Sequence, residues 1–137
     1  MIFFRKTMKI VEGETPKLLT NFEVYEAVKN TNKVNRGQKR DPILAAMLKN
    51  TDKYFKNQES IAAASPENLA KVSEICKNYK LTKAETLQLI NVRPTDELHL
   101  VMVIEELDVR LTKDQQESLL EEIGAVMGIP TLMDDDE

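Results

Sequence analysis

Apolar positions recur at spacings of three and four over most of the chain, and each periodic segment opens on helix-start chemistry. Thr20-Asn21-Phe22-Glu23 is a capping box, in which a threonine and a glutamate three residues on can satisfy the orphan N–H groups of a first turn. It predicts a helix over about Asn21 to Asn30, with Phe22, Val24, Tyr25 and Val28 on its apolar side. From Lys29 to Arg40 the chain turns polar and basic, which reads as a solvated linker. Asp41-Pro42 and Ser65-Pro66-Glu67 each pair a capping side chain with proline at the first helical position. The first opens a helix with Ile43, Leu44, Met47, Leu48, Tyr54 and Phe55, and the second opens one with a core stripe of Leu69, Val72, Ile75, Cys76 and Tyr79.

The stretch from Leu81 to Leu120 carries two more capping boxes, Thr82 with Glu85 and Thr112 with Gln115. Between them Pro94 biases Arg93 away from helix, and Thr95 is placed to cap the next segment with Asp96 and Glu97 at its positive end. Three helices joined by short turns are therefore expected. The middle one carries Leu98, Leu100, Val101, Met102, Val103, Ile104 and Leu107 around most of its circumference. Such a helix is either central to a bundle or packed inside on its own domain and outside on a partner. The last helix has the stripe Leu119, Leu120, Ile123, Val126 and Met127, and Gly128 suits its C-terminal cap. Pro130 opposes continuation, and Asp134 to Glu137 read as an acidic tail.

At the other end, Ile2, Phe3, Phe4, Met8, Ile10 and Val11 alternate partially, which predicts a short strand. No second strand is evident in the sequence, so its backbone groups call for pairing, and the edge of a partner's sheet would supply it.

Composition narrows the function. The chain has 137 residues, 42% hydrophobic and 31% charged, enough for one domain with an attached arm. No apolar run nears the roughly 20 residues of a membrane helix. One cysteine, Cys76, excludes an internal disulfide and fits the cytosol or nucleus. The net charge of −4 conceals an asymmetry: residues 1–95 hold 17 Lys and Arg against 10 Asp and Glu, whereas residues 96–137 hold 2 against 13. An acidic second half disfavours wrapping of nucleic acid there and favours a basic protein partner.

Catalytic chemistry finds no support in the sequence. His99 is the only histidine, so neither a His/Cys zinc site nor a Ser-His-Asp arrangement is expected, and no phosphate-binding glycine pattern occurs. Glu105 and Glu106 are neighbours that would point about 100° apart on a helix, unsuited to a shared dyad. The basic run Lys29, Lys33, Arg36, Lys39 and Arg40 lacks interleaved aromatics for base stacking. No catalytic residue, cofactor or metal is assigned.

The wording LTKAETLQLINVRP, then an apolar helix, then EELDVRLTKDQQESLLEEI resembles the small stalk subunits of nuclear RNA polymerase III, the ninth-subunit family. That family is also described as a calcitonin-gene-related-peptide receptor component, and the fourth subunit of RNA polymerase II is a weaker match. MKIVEGETPKLLTNFEVYEAV, Met8 to Val28, looks like the family's N-terminal segment, while Asn30 to Pro66 carries no matching pattern. The resemblance implies an all-α, non-catalytic nuclear protein with an N-terminal arm and a bundle like the helicase-and-RNase-D C-terminal (HRDC-like) fold. The corresponding division is an arm and first helix over 1–30, a linker and intervening helix over 31–64, the bundle over 65–128 and a tail over 129–137. It further implies a stalk heterodimer with a larger seventh-subunit-like partner, attachment to the RNA polymerase III core, and recruitment of initiation factors. Nucleic acid would be met only within that complex. Partner contacts are then expected at Met8, Ile10, Val11, Leu18, Leu19, Phe22 and Tyr25, with Leu89, Arg93 and Pro94 as a second group. A free signalling adaptor and an autonomous nucleic-acid-binding helical domain are the alternatives from other classes.

Overall fold

A computed structural model describes residues 17–34 and 41–128. The expected N-terminal strand, with Met8, Ile10 and Val11, and the acidic tail lie outside the described residues. Within them the chain is helical: α1 (Asn21–Val34), α2 (Pro42–Lys56), α3 (Glu59–Ala62), α4 (Pro66–Asn78), α5 (Lys83–Val92), α6 (Glu97–Val103), α7 (Leu107–Arg110) and α8 (Lys113–Met127). No strand occurs among the described residues, and none of their helices is long and apolar enough to cross a membrane.

Five of the six expected N-caps form where the sequence places them. Thr20 N donates to Glu23 Oε2 at 2.7 Å while Thr20 Oγ1 accepts from Glu23 N at 3.2 Å. Thr82 and Glu85 exchange the same two bonds at 2.8 and 3.2 Å, and Thr112 and Gln115 at 2.9 and 3.3 Å. Asp41 accepts from Ile43 N and Ser65 from Asn68 N, each just ahead of its proline. Because Gln115 makes no ionic contact elsewhere, the α8 box isolates the capping term. Thr112→Ala is expected to lower stability by about 1 kcal/mol, read as a shift in the urea midpoint without a change in slope.

Three expectations are corrected. α1 runs to Val34 rather than Asn30, because Thr31 Oγ1 donates back to Ala27 O at 2.9 Å and the polar turn is accommodated within the helix. The cap of α6 is Asp96, whose Oδ1 accepts from His99 N at 3.0 Å, and not Thr95. The single apolar helix expected after Thr95 is broken in two. Ile104 leaves α6 in extended geometry (φ −97°, ψ 118°) and inserts into the core, and Glu106 turns left-handed (φ 52°) before α7. A run of β-branched Val101, Val103 and Ile104 weakens helix propensity, so burial of Ile104 and Leu107 decides the path. Glu105 and Glu106 consequently lie in the connector rather than on a helix.

The core sits between α4, α5, α6 and α8. Val72 and Cys76 of α4, Leu89 and Ile90 of α5, Leu100 of α6, and Leu119, Ile123 and Met127 of α8 meet there, joined by Ile104, Leu107 and Leu111. These are the stripes predicted for α4 and α8. Gln116 is buried among them and donates Nε2 to Leu111 O at 3.0 Å and to Asp108 Oδ1 at 3.3 Å. Outside this core α1 and α2 pack as a pair, Tyr25 against Phe55 with ring centroids 5.9 Å apart. α3 links that pair to α5, burying Ile61.

Candidate interaction surface

One long-range polar contact ties α1 to the bundle, and a second set ties the end of α5 to α3 and to the end of α8. Asn21 N donates to Asn91 Oδ1 at 2.9 Å, tying the first turn of α1 to the end of α5. Arg93, left-handed at φ 55° as the C-cap of α5, donates Nη2 to Gly128 O at 3.0 Å and holds Nη1 3.5 Å from Glu59 Oε2. The start of α1, beside Leu18, Leu19 and Phe22, and the end of α5, beside Arg93 and Pro94, some seventy positions apart in sequence, are thereby neighbours, while Met8, Ile10 and Val11 lie outside the described residues.

Their surroundings differ. Leu18 and Leu19 are exposed just ahead of α1. Phe22 is half-buried and, with Glu26, Ala27, Pro66 and Leu69, lines an open groove of ≈ 530 Å³ between α1 and the start of α4. Tyr25 is engaged internally, its ring packed on Phe55 with Lys29 Nζ 5.0 Å from its centroid. Leu89 is fully buried in this chain's own core and offers no surface. Pro94 is buried on the wall of a mostly apolar groove of ≈ 400 Å³ formed with Thr95, Leu120, Gly124 and Ala125. Gly124 also lines that groove, and a Cβ there would meet nothing within 4 Å.

Part of the apolar side expected for α2 stands open to solvent. Phe55 packs inward, but Ile43 (70% exposed), Met47 (62%) and Tyr54 (59%) form an outward stripe. The signal was present: six apolar positions on one fifteen-residue helix span two faces, more than one core contact requires. α6 shows the same division, with Leu100 and Val103 inward and Leu98, Val101 and Met102 outward. Its outer face is open, so α6 is not the central helix of the bundle.

Ionisable groups serve structure. Glu85, mostly buried, takes a bidentate pair from Arg110, with Nη1 to Oε1 at 2.5 Å and Nη2 to Oε2 at 3.1 Å. The guanidinium, with the capping bonds from Thr82, holds the Glu85 carboxyl down at about 2 despite its burial. Arg110 Nη1 also donates to Glu105 O at 3.0 Å, and Nη2 to Lys80 O at 3.4 Å, so one side chain joins two connectors to the start of α5. Tyr79 Oη donates to Glu122 Oε1 at 2.7 Å, and burial together with that carboxylate pushes the phenol up to about 12. Burial likewise raises the Cys76 thiol, which opposes nucleophile chemistry. His99 Nδ1 lies 3.2 Å from Thr95 Oγ1, in a local turn contact. No group of three or more His, Cys, Asp or Glu residues is placed to hold a metal among the described residues.

Capped helices, a core packed between four of them and large apolar side chains facing outward make this an all-helical domain with open apolar faces. The RNA polymerase Rpb4 family model matches residues 18–127, and the chain belongs to that family. Among curated proteins, the DNA-directed RNA polymerase III subunit rpc9 of Dictyostelium discoideum is 25% identical over 139 aligned residues, covering 95% of this chain and 98% of the relative. The DNA-directed RNA polymerase III subunit RPC9 of Saccharomyces cerevisiae is 34% identical over 67 residues, 49% of this chain and 42% of the relative. The match spans Asn30 to Pro66, where the sequence alone carries no recognisable wording.

Proposed function

We propose that the chain is a non-catalytic subunit of nuclear RNA polymerase III that pairs with a seventh-subunit-like partner to form a stalk and supports initiation by recruiting initiation factors. The observation that carries this reading is the near end-to-end correspondence with the Dictyostelium polymerase III subunit. Open apolar surface supports assembly as the mechanism. Leu18 and Leu19 beside Phe22, and the α2 stripe, would be buried against the partner, leaving other faces of the bundle to initiation factors. Such interfaces rest on a few aromatic or aliphatic anchors rather than on rim charges.

Affinity purification of the tagged chain from its native cells, followed by mass spectrometry, tests the assignment. Stoichiometric recovery of a seventh-subunit-like protein with the polymerase III core is the expected result. Abundant tagged protein without polymerase subunits would overturn it in favour of a free adaptor. In a titration with the recovered partner, Phe22→Ala is expected to weaken pairing by about tenfold, or ~1.4 kcal/mol, and Lys33→Ala by less than about twofold. Because Phe22 also lines the groove against Pro66 and Leu69, thermal unfolding of each variant alone separates lost anchoring from lost packing. Equal, negligible effects of the two substitutions on pairing would remove Phe22 as an anchor.

A further inference from the structure

The outer face of α6 has not been assigned a role by family membership or by the pairing proposed above. Leu98 (65% exposed), Val101 (54%) and Met102 (70%) stand at i, i+3 and i+4 and form one stripe, opposite the face on which Leu100 and Val103 meet the core. Three large aliphatic side chains exposed on a seven-residue helix are costly in water, and a contiguous patch of this kind marks a contact site. The surrounding charge is predominantly acidic. Asp96 and Glu97 stand at the start of the stripe, Glu105 and Glu106 just past its end, and Asp108 follows on α7. The two nearby cations are already engaged: Arg110 holds Glu85, and Lys113 pairs with Glu97 and Asp108. Glu105 and Glu106 are exposed, and neither is within ion-pair distance of a cation among the described residues.

We infer that the α6 face is a docking surface for a basic amphipathic helix of a protein partner. The apolar stripe selects a helix with its own aliphatic stripe, since two helices pack ridge into groove at such a contact. The acidic ends select its charge, and they exclude nucleic acid and anionic lipid from the same face. Geometry adds a spacing rule. A helix of seven residues is about 10 Å long. The partner's lysines or arginines therefore flank its apolar stripe at both ends, about two turns apart. The inference deepens the recruitment part of the proposed function and rests on that reading only for the identity of the protein that supplies the helix.

The test is a titration of the full-length, isotope-labelled chain with three designed peptides, followed by amide NMR shifts. One is a helical peptide with a leucine stripe flanked by lysines, the second has glutamates in place of the lysines, and the third is the first in scrambled order. Shifts centred on residues 97–106 with the lysine peptide, strongest at low salt, are expected. Val101→Ser with Met102→Ser should weaken that binding by about tenfold, Glu105→Gln with Glu106→Gln by about threefold with reduced salt dependence, and Ile43→Ser not at all. All substituted side chains are exposed, and an unchanged melting curve confirms that folding is intact. Equal binding of the glutamate or scrambled peptide, shifts centred on α2, or concentration-dependent self-association abolished by the Val101/Met102 variant would each overturn the proposal, the last by making a second copy the occupant. Repeating the titration on the purified heterodimer separates the two readings. Failure to form a heterodimer with peptide binding intact removes the proposed pairing alone, whereas an intact heterodimer that ignores the lysine peptide removes the docking surface alone.

Discussion

Arg110→Ala is expected to lower the unfolding free energy by about 3 kcal/mol near pH 7, more than substitution of any other exposed residue. Removing the guanidinium leaves the Glu85 carboxylate covered and unpaired, and it also deprives the carbonyls of Lys80 and Glu105 of their donor. The effect depends on pH with a definite sign. Glu85 titrates at about 2 in the folded chain against an ordinary value of 4.5, so its contribution is fully present above 4.5 and is lost as pH falls toward 2. That difference corresponds to about 3 kcal/mol, or about 2 once the partial exposure of Arg110 is allowed for. Glu85→Gln is the informative companion, because glutamine keeps the capping geometry, as Gln115 does on α8, and loses only the ion pair. Urea unfolding across this range should show a flatter acid limb for Glu85→Gln, and the deficit of Arg110→Ala should narrow near pH 3. A deficit independent of pH would assign the cost to lost packing of the arginine stem instead.

Leu89→Ala should cost the isolated chain about 3–4 kcal/mol, as deletion of a fully enclosed leucine leaves a cavity that surrounding helices close only partly. Leu89 was expected among the partner contacts from sequence, yet its side chain has no accessible surface. Thermal unfolding of the chain alone distinguishes the two roles. A core residue lowers the midpoint without any partner present, whereas a contact residue leaves it unchanged and acts only in the pairing titration. An unchanged midpoint would show that the core opens at Leu89.

What the sequence made legible was local. Capping boxes at Thr20, Thr82 and Thr112 and the proline-initiated starts after Asp41 and Ser65 fix where helices begin, because each depends on side chains within three residues. Core stripes on α4 and α8 followed from period alone. The end of α1 and the break at Ile104 were not legible, since local propensity competes there with back-bonding in one case and distant burial in the other. For the candidate surface, period could show that α2 and α6 carry apolar residues on two faces, but only the packed structure says which face is spent inside. The role of Arg110 carries no local signal, because its partners Lys80, Glu85 and Glu105 come from two connectors and the first turn of α5 and converge on it only in the folded chain.

Those connectors have a consequence for how the chain meets other proteins. Lys80, Arg93 and Glu106 each adopt left-handed backbone geometry that glycine would take more readily, with φ between 52° and 56°. Each conformation costs a non-glycine residue about 1 kcal/mol, but a side chain at such a corner restricts the backbone more than glycine would. Two of the three corners are held further by Arg110 and by the bond from Arg93 to Gly128. The bundle thus behaves as a gauge block of set dimensions, whose spacing between one face and the next is already fixed before any partner arrives. A protein that reads two of its faces at once recognises a distance as well as a chemistry, and loses little ordering entropy in doing so.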